Sequence, residues 1–322
     1  MIGASAGGVT ALRTVAAGLH KELAAPVLIV LHIGAHPSLL PEVLSSAGLI
    51  NAMHAEHDEP IRTGRIYIAP PDCHMTVENG RVRLSRGPKE NWARPAIDPL
   101  FRSAAEHYGP GAIGVILTGN MNDGTLGLQE IKRRGGITVV QDPGDADFPE
   151  MPGNAAANVE VDYCLRAADI PGALNRLVAD RHATTATADT LQGGPAMTAD
   201  KELERPIALT CPDCGGALRR NEIGTMVEYR CHIQHVYTAE VLAAAHFDHM
   251  EKVLRAAERI VNERAEFCRQ MAGRATASGA KHRWDTACLQ ADARAHELRD
   301  FVEQNWIRPE NVDGPDPAIK TD

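Results

Sequence analysis

Val27-Leu28-Ile29-Val30-Leu31-His32 is an unbroken aliphatic run that ends on a histidine. A strand apolar at every position has no face to give to water, so it must be covered on both sides, as the strands of parallel sheets are. Arg65–Ala69, Ile113–Leu117 and Ile137–Gln141 repeat the pattern as short buried strands. Between them lie helical stretches such as Gly8–Leu19 and Pro99–His107, the first with Leu12, Val15 and Leu19 on one face. Strand–helix alternation of this kind predicts an α/β fold, a doubly wound and mostly parallel sheet with helices on both faces. Thr76–Glu78 and Arg81–Leu84, joined by Asn79-Gly80, read as a hairpin with a type I′ turn.

The chain opens on Ile2-Gly3-Ala4-Ser5-Ala6-Gly7-Gly8. Glycines around a serine allow a sharp strand-to-helix turn that exposes the hydroxyl and leaves helix-start amides for an oxyanion. The same residues would also make a tight turn whose serine caps the helix. His32 directly follows one strand, and Asp123 follows another in Thr118-Gly119-Asn120-Met121-Asn122-Asp123-Gly124. Parallel sheets place their chemistry at the carboxyl ends of strands. Ser5, His32 and Asp123 are therefore candidates for nucleophile, general base and orienting carboxylate. The nucleophile elbow of α/β-hydrolases fits less well, because that sheet needs several strands before the serine and a different triad order. A dinucleotide fingerprint fails, since Ser5 stands where its second glycine belongs.

These segments together resemble the catalytic domain of the chemotaxis protein-glutamate methylesterase (CheB) family, which pairs a Gly-Ala-Ser-x-Gly-Gly turn, a strand-end histidine and Thr-Gly-x-x-x-Asp-Gly. Tyr67–His74, Arg94–Ala105, Gln141-Asp142-Pro143 and Met151-Pro152 are similar to further segments of that family. The likeness runs over roughly residues 2–178. It implies Ser5 as nucleophile, His32 as base, Asp123 as its partner, and an oxyanion site near Ala6, Gly7 and Asn120. It also implies hydrolysis of glutamate methyl esters on the cytoplasmic helices of chemoreceptors, with deamidation of glutamines as a side activity and no cofactor for catalysis. Ala6 stands where the family often has Thr, and Asn120-Met121 where it often has Met-Gly. No receiver domain is recognisable, and only Met1-Ile2 remain of the apolar strand that leads into the serine turn. A shortened amino terminus with little of its central strand is therefore expected. Arg13, Arg94 and Arg102 could dock an acidic receptor helix, although isolated arginines more often serve in surface ion pairs. His36, His54, His57 and His74 have no recognisable metal pattern around them.

Cys211-Pro212-Asp213-Cys214 and Cys231-His232-Ile233-Gln234-His235 form a C-x2-C-x16-C-x3-H pattern. Two such pairs suit a tetrahedral structural zinc, with Cys211, Cys214, Cys231 and His235 as ligands and His232 as the competing fourth. Four protein ligands leave no open position for catalysis. The segment is similar to a C-terminal extension of receiver-less methylesterase homologues, which have glycine where Gln234 stands here.

The expected organisation is a catalytic domain over 1–180, a linker over 181–206, a zinc-ribbon-like module over 207–237, a helical hairpin tail over 238–306 and a disordered C-terminus over 307–322. The tail hairpin should be broken near Gly273–Gly279 and bury Leu242, Val253, Leu254, Ile260, Val261, Leu289, Leu298, Phe301 and Val302. Dimerisation through the tail is a further expectation. The net charge of −9 argues against a nucleic-acid partner. The longest apolar run is too short to span a bilayer, and no secretory signal is recognisable, which points to a cytoplasmic protein without membrane insertion. The competing function is a weak or inactive signalling scaffold that binds partners through the zinc module and helices.

Overall fold

The computed structural model describes residues 1–185, 206–224 and 226–304. Met1–Val241 and Leu242–Asp322 are two compact units. Of the linker expected over 181–206, residues 181–185 instead continue the helix that begins at Ile170, while 186–205 and the expected disordered end lie outside the described residues.

In the first unit the chain runs through β1 (Ile2–Ala4), α1 (Gly8–Gly18), β2 (Val27–Leu31), α2 (Leu40–Ala47), β3 (Ala52–His54) and β4 (Ile66–Ile68). The hairpin β5 (His74–Glu78) and β6 (Arg81–Ser85) follows, with Asn79 and Gly80 both at positive φ as a type I′ turn requires. Then come α3 (Ile97–Tyr108), β7 (Ile113–Ile116), α4 (Thr125–Arg133), β8 (Ile137–Gln141), α5 (Glu150–Asn158), β9 (Tyr163–Leu165) and α6 (Ile170–Thr185). The main sheet has the order β3-β4-β2-β1-β7-β8-β9, and each of its pairs is parallel.

The alternation along β2 explains the two cores. Val27, Ile29 and Leu31 pack with Leu12, Val15, Leu44 and Ile170 on one face. Leu28 and Val30 pack with Ile97, Phe101, Leu128 and Met151 on the other. Every residue of β2 is buried, as a strand covered on both sides must be.

Little of a central strand was expected at the amino terminus, yet β1 is formed and occupies the centre of the sheet. Its three residues pair with β2 on one side and β7 on the other, so neither neighbour is left with an open edge there. Backbone pairing on both sides holds these three residues in register.

The order of connection reverses at β1, with β2, β4 and β3 on one side and β7, β8 and β9 on the other. Doubly wound sheets open a crevice at the carboxyl ends of the strands that flank such a switch point. Ser5, His32 and Asp123 follow β1, β2 and β7 in turn.

A second sheet, antiparallel, is made of β10 (Leu218–Ile223), β11 (Met226–Cys231) and β12 (Val236–Thr238). It belongs to the same compact unit. Gly224, at the turn of the β10–β11 hairpin, lies against Gln129 of α4, and β12 lies against the segment Lys89–Asn91.

The remaining elements are α7 (Ala239–Arg274) and α8 (Ser278–Glu303), with the break where the sequence places it. Arg269–Asp292 and Arg299–Glu258 ion pairs and an edge contact of Phe267 with Trp284 join the two antiparallel helices. The expected tail core is corrected in part. Leu242 is buried and Leu254, Val261, Leu298 and Val302 are half-buried, but Val253, Ile260, Leu289 and Phe301 are exposed, and Ala265, Cys268, Ala272, Cys288, Ala291 and Ala295 are buried. At 100° per residue, Val253 and Ile260 fall on a different face of α7 from Ala265, Cys268 and Ala272. Leu254 and Val261 share the buried face, so only part of the expected apolar stripe on α7 turns to water.

Candidate active site

Thr118 holds the serine turn in shape. Its carbonyl accepts the Ser5 N–H at 3.0 Å, and its hydroxyl donates to the Ala6 carbonyl at 3.0 Å. The Phe148 N–H donates to that same hydroxyl, and Gln141 Oε1 accepts the Thr118 N–H. These contacts give a physical reason for the threonine of the Thr-Gly segment and for the glutamine before Asp142-Pro143. Gly7 then caps α1 in the left-handed region, with no side-chain hydrogen bond to the cap. The helix start therefore offers an electropositive end beside Ser5.

Ser5, His32 and Asp123 come together. His32 Nδ1 lies 3.1 Å from Ser5 Oγ, and His32 Nε2 lies 2.8 Å from Asp123 Oδ2. An ionised carboxylate only accepts, so the imidazole proton sits on Nε2 and the Nδ1 lone pair faces the serine hydroxyl. Asp123 is 2 % exposed. Burial alone would raise its pKa. The His32 hydrogen bond and its charge, the Ile97 N–H and the Asn91 amide outweigh burial and hold the carboxyl below its usual range.

The amino end of α3 supplies part of that support. Asp123 Oδ2 accepts the Ile97 N–H at 2.6 Å, and Oδ1 accepts the Asp98 N–H at 3.3 Å. Asp123 thus caps the helix that stabilises it. Two glycines let α3 come this close: a Cβ on Gly3 would lie 2.5 Å from Ile97 Cγ2, and one on Gly124 would lie 2.7 Å from the same atom.

Sequence reasoning missed two members of this cluster. Asn91 Nδ2 donates at 2.9 Å to Asp98 Oδ2 and at 2.9 Å to Asp123 Oδ1. Asp98 itself is buried, and burial together with the Asp123 charge pushes its carboxyl well above the usual range. Two carboxyls in one dry pocket cannot both ionise cheaply, so Asp123 carries the charge and Asp98 the proton. Asp98 stood in the run Arg94–Ala105 with no role assigned, and Asn91 just outside it; no local pattern marks either.

Of the proposed oxyanion residues, Ala6 and Gly7 lie in the turn between β1 and α1, while Asn120 is exposed in the loop after β7. The Met121 N–H is taken by Glu150 Oε2 at 3.0 Å. Arg94 is tied to Asp72 at 2.6 Å and Arg102 to Glu90, while Arg13 is exposed. His74 Nε2 is bound to the Pro88 carbonyl and His54 to the Ser38 carbonyl.

A cavity of about 310 Å³ opens beside His32, lined by Gly34, Asp72, Lys89, Trp92 and Arg94 among others. A second cavity of about 230 Å³ lies at the amino ends of β1 and β2 against Leu23, Val27 and Leu174. No serine, cysteine or histidine lines it, whereas His32 lines the first.

Cys211, Cys214, Cys231 and His235 converge, with their ligand atoms all within 4.8 Å of one another. Cys214 Sγ lies 3.7 Å from Cys231 Sγ, and His235 Nδ1 lies 3.5 Å from Cys231 Sγ and 3.6 Å from Cys211 Sγ. A tetrahedral zinc with Zn–S of about 2.3 Å and Zn–N of about 2.0 Å requires S···S edges of about 3.8 Å and S···N edges of about 3.5 Å. The donor set fits. His232, the competing fourth ligand, is exposed and stands over Gly216. Gln234 takes the left-handed conformation, at φ 79°, a backbone conformation that favours glycine.

The fold and this cluster define an all-parallel doubly wound α/β domain with a Ser-His-Asp hydrogen-bonded chain across its switch point. The chain belongs to the CheB methylesterase family, whose model matches residues 1–174. It is 41% identical over 167 residues to a putative protein-glutamate methylesterase/protein-glutamine glutaminase of Leptospira interrogans, covering 51% of this chain and 86% of that protein. It is 39% identical over 178 residues to protein-glutamate methylesterase/protein-glutamine glutaminase 2 of Anaeromyxobacter dehalogenans, covering 55% of this chain and 52% of that one. Among solved structures it is similar to the CheB methylesterase catalytic domain of Thermotoga maritima, with a TM-score of 0.53 and 35% identity over 55% of this chain and 96% of that one. The Cys/His module and the helices α7 and α8 lie beyond the family match.

Proposed function

We propose that this protein hydrolyses γ-glutamyl methyl esters on chemoreceptor cytoplasmic helices, and deamidates glutamines there by the same acyl transfer. The observation that carries this reading is the chain from Ser5 through His32 to Asp123, at 3.1 and 2.8 Å, inside the family-matched region. His32 Nδ1 takes the Ser5 proton as Oγ attacks the ester carbonyl, and Asp123 stabilises the imidazolium. Amides at the start of α1, near Ala6 and Gly7, stabilise the oxyanion. The C–O bond then breaks, and His32 returns the proton to the departing methoxide, which leaves as methanol. Water attacks the glutamyl-enzyme by the same steps in reverse, freeing the carboxylate and Ser5.

Cys211, Cys214, Cys231 and His235 would hold a structural zinc, which fastens β10–β12 rather than joining the chemistry. No helix among the described residues is long and apolar enough to cross a membrane, which supports a cytoplasmic site of action. Val253 and Ile260, exposed on α7, support self-association through the tail.

Methanol release from methylated receptor fragments tests the reading, with fluorophosphonate labelling of the same samples. Release and labelling that both vanish in Ser5→Ala are expected. A folded protein that neither releases methanol nor takes the label would replace the enzyme reading with the scaffold.

A further inference from the structure

We propose that Asn91 is a positioning residue for the catalytic carboxylate, and that the Cys/His module is the part of the protein that orients it. The inference rests on the catalytic reading of Ser5, His32 and Asp123. It concerns a residue and a contact that lie outside that triad.

Asn91 is 6 % exposed, and its amide is used at both ends. The two Nδ2 hydrogens bridge Asp98 and Asp123 at 2.9 Å each. Its Oδ1 accepts the N–H of Thr238, from β12, at 3.1 Å. That last bond fixes the far end of the amide. Rotated by half a turn, Asn91 would set its oxygen against the ionised Asp123 carboxylate and its NH2 against the Thr238 N–H, and both of those contacts would be repulsive. The module's backbone amide therefore reinforces the orientation in which Asn91 donates to Asp123.

The same strand fixes the Asn91 backbone. The Asn91 N–H donates to the Val236 carbonyl at 2.8 Å, and the Val236 N–H donates to the Lys89 carbonyl at 3.4 Å. Thr238 also donates its hydroxyl to Asn122 Oδ1 at 2.8 Å, and Asn122 Nδ2 reaches Glu240 Oε2 at 2.7 Å. Asn122 immediately precedes Asp123 and is 2 % exposed. The module thus touches the catalytic aspartate's chain neighbour and its amide partner at once.

What holds β12 in place is the Cys/His cluster. His235 immediately precedes β12, and inside the strand the Tyr237 hydroxyl lies 3.3 Å from Cys211 Sγ and donates to Asp213 Oδ2 at 2.7 Å. Val236, Tyr237 and Thr238 are each at most 1 % exposed. A segment this short depends on its metal to fold, so metal loading, β12 placement and Asn91 orientation are linked in series. The appended module then serves the reaction by holding the base's partner still, and loss of metal slows the chemistry.

The full-length chain tests this through zinc content, methanol-release kinetics and the rate of fluorophosphonate labelling at Ser5, in wild type, Asn91→Ala and the isosteric Asn91→Asp. Both variants should lose about 10- to 100-fold in kcat with KM unchanged, as a displaced catalytic group does. A zinc chelator should release one equivalent of metal and slow wild-type labelling and turnover by a similar factor, yet add little to Asn91→Ala. An Asn91→Ala enzyme within twofold of wild type overturns the proposal, and so does metal removal whose effect multiplies with that of the mutation. If Asn91→Ala fails to fold by circular dichroism, Asn91→Asp and the chelator decide on the same criteria. A wild-type chain that neither labels nor releases methanol overturns the catalytic reading itself. A chain that does both while Asn91 proves irrelevant overturns only the present inference.

Discussion

His32 turns its Nε2, not its Nδ1, toward Asp123, with 2.8 Å between that nitrogen and Oδ2. The nitrogen that faces Ser5 is therefore Nδ1, and the aspartate selects the tautomer in which Nδ1 is free to accept a proton.

Asp123→Asn keeps the shape of the side chain but supplies an NH2 or a neutral oxygen where a carboxylate took up the Nε2 proton. The imidazole then loses both its tautomer preference and the charge that stabilises its protonated form. Turnover should fall on the order of 10³–10⁴-fold while the protein stays folded. Steady-state methanol release and circular dichroism of the variant measure the two halves of that statement.

Asp98 makes stability fall with rising pH. Burial, and then the Asp123 charge, raise its carboxyl in the folded protein, so folding takes up a proton once the pH exceeds the ordinary carboxylate value. The stabilisation is complete below that value and is lost as pH rises toward the folded one, at up to about 1.4 kcal/mol per pH unit for a single proton. Asp123, held low, acts in the opposite sense: its contribution is present above the ordinary value and fades as pH drops through the folded one. Melting temperatures of wild type and Asp98→Asn from pH 4 to pH 8 separate the two. The variant should lose the decline on the alkaline side of pH 4, and a parallel pair of curves would refute the assignment.

Zinc should copurify at about one equivalent, bound by Cys211, Cys214, Cys231 and His235. Removing it should expose three thiols to a thiol reagent and lower the first unfolding transition, since the binding free energy is folding free energy for so small a module. Cys214→Ala should bind zinc far more weakly, whereas His232→Ala should bind as wild type does because that ring lies outside the cluster. Metal analysis of the purified variants distinguishes these outcomes.

Gly3 has no room for a methyl group. A Cβ there meets three Ile97 side-chain atoms at 2.5–2.9 Å, and Ile97 is fully buried. Gly3→Ala should cost about 1–3 kcal/mol in urea unfolding by overpacking. It should also reduce kcat, because the Ile97 N–H that reaches Asp123 moves with its side chain. Truncating the obstacle in a Gly3→Ala, Ile97→Ala double variant should recover part of the activity, and failure to recover any would show that the strain lies elsewhere.

The sequence by itself determined whatever depends on short spacing. The fully apolar run Val27–Leu31 identified a strand covered on both faces, Asn79-Gly80 a hairpin turn, and the C-x2-C and C-x3-H pairs a cluster of three cysteines and a histidine. The glycines around Ser5 and the strand-end positions of His32 and Asp123 located the cleft. Each of these reflects the periodicity of a strand or the reach of one turn, which neighbouring residues encode. The tertiary structure alone decided the rest. Asn91 meets Thr238 across 147 residues of sequence, and His32 meets Asp123 across 91. In α7, Ala265, Cys268 and Ala272 are buried while Val253 and Ile260 are exposed. Such contacts arise from which faces pack together and which buried polar groups must find partners once water is gone. No local propensity specifies them.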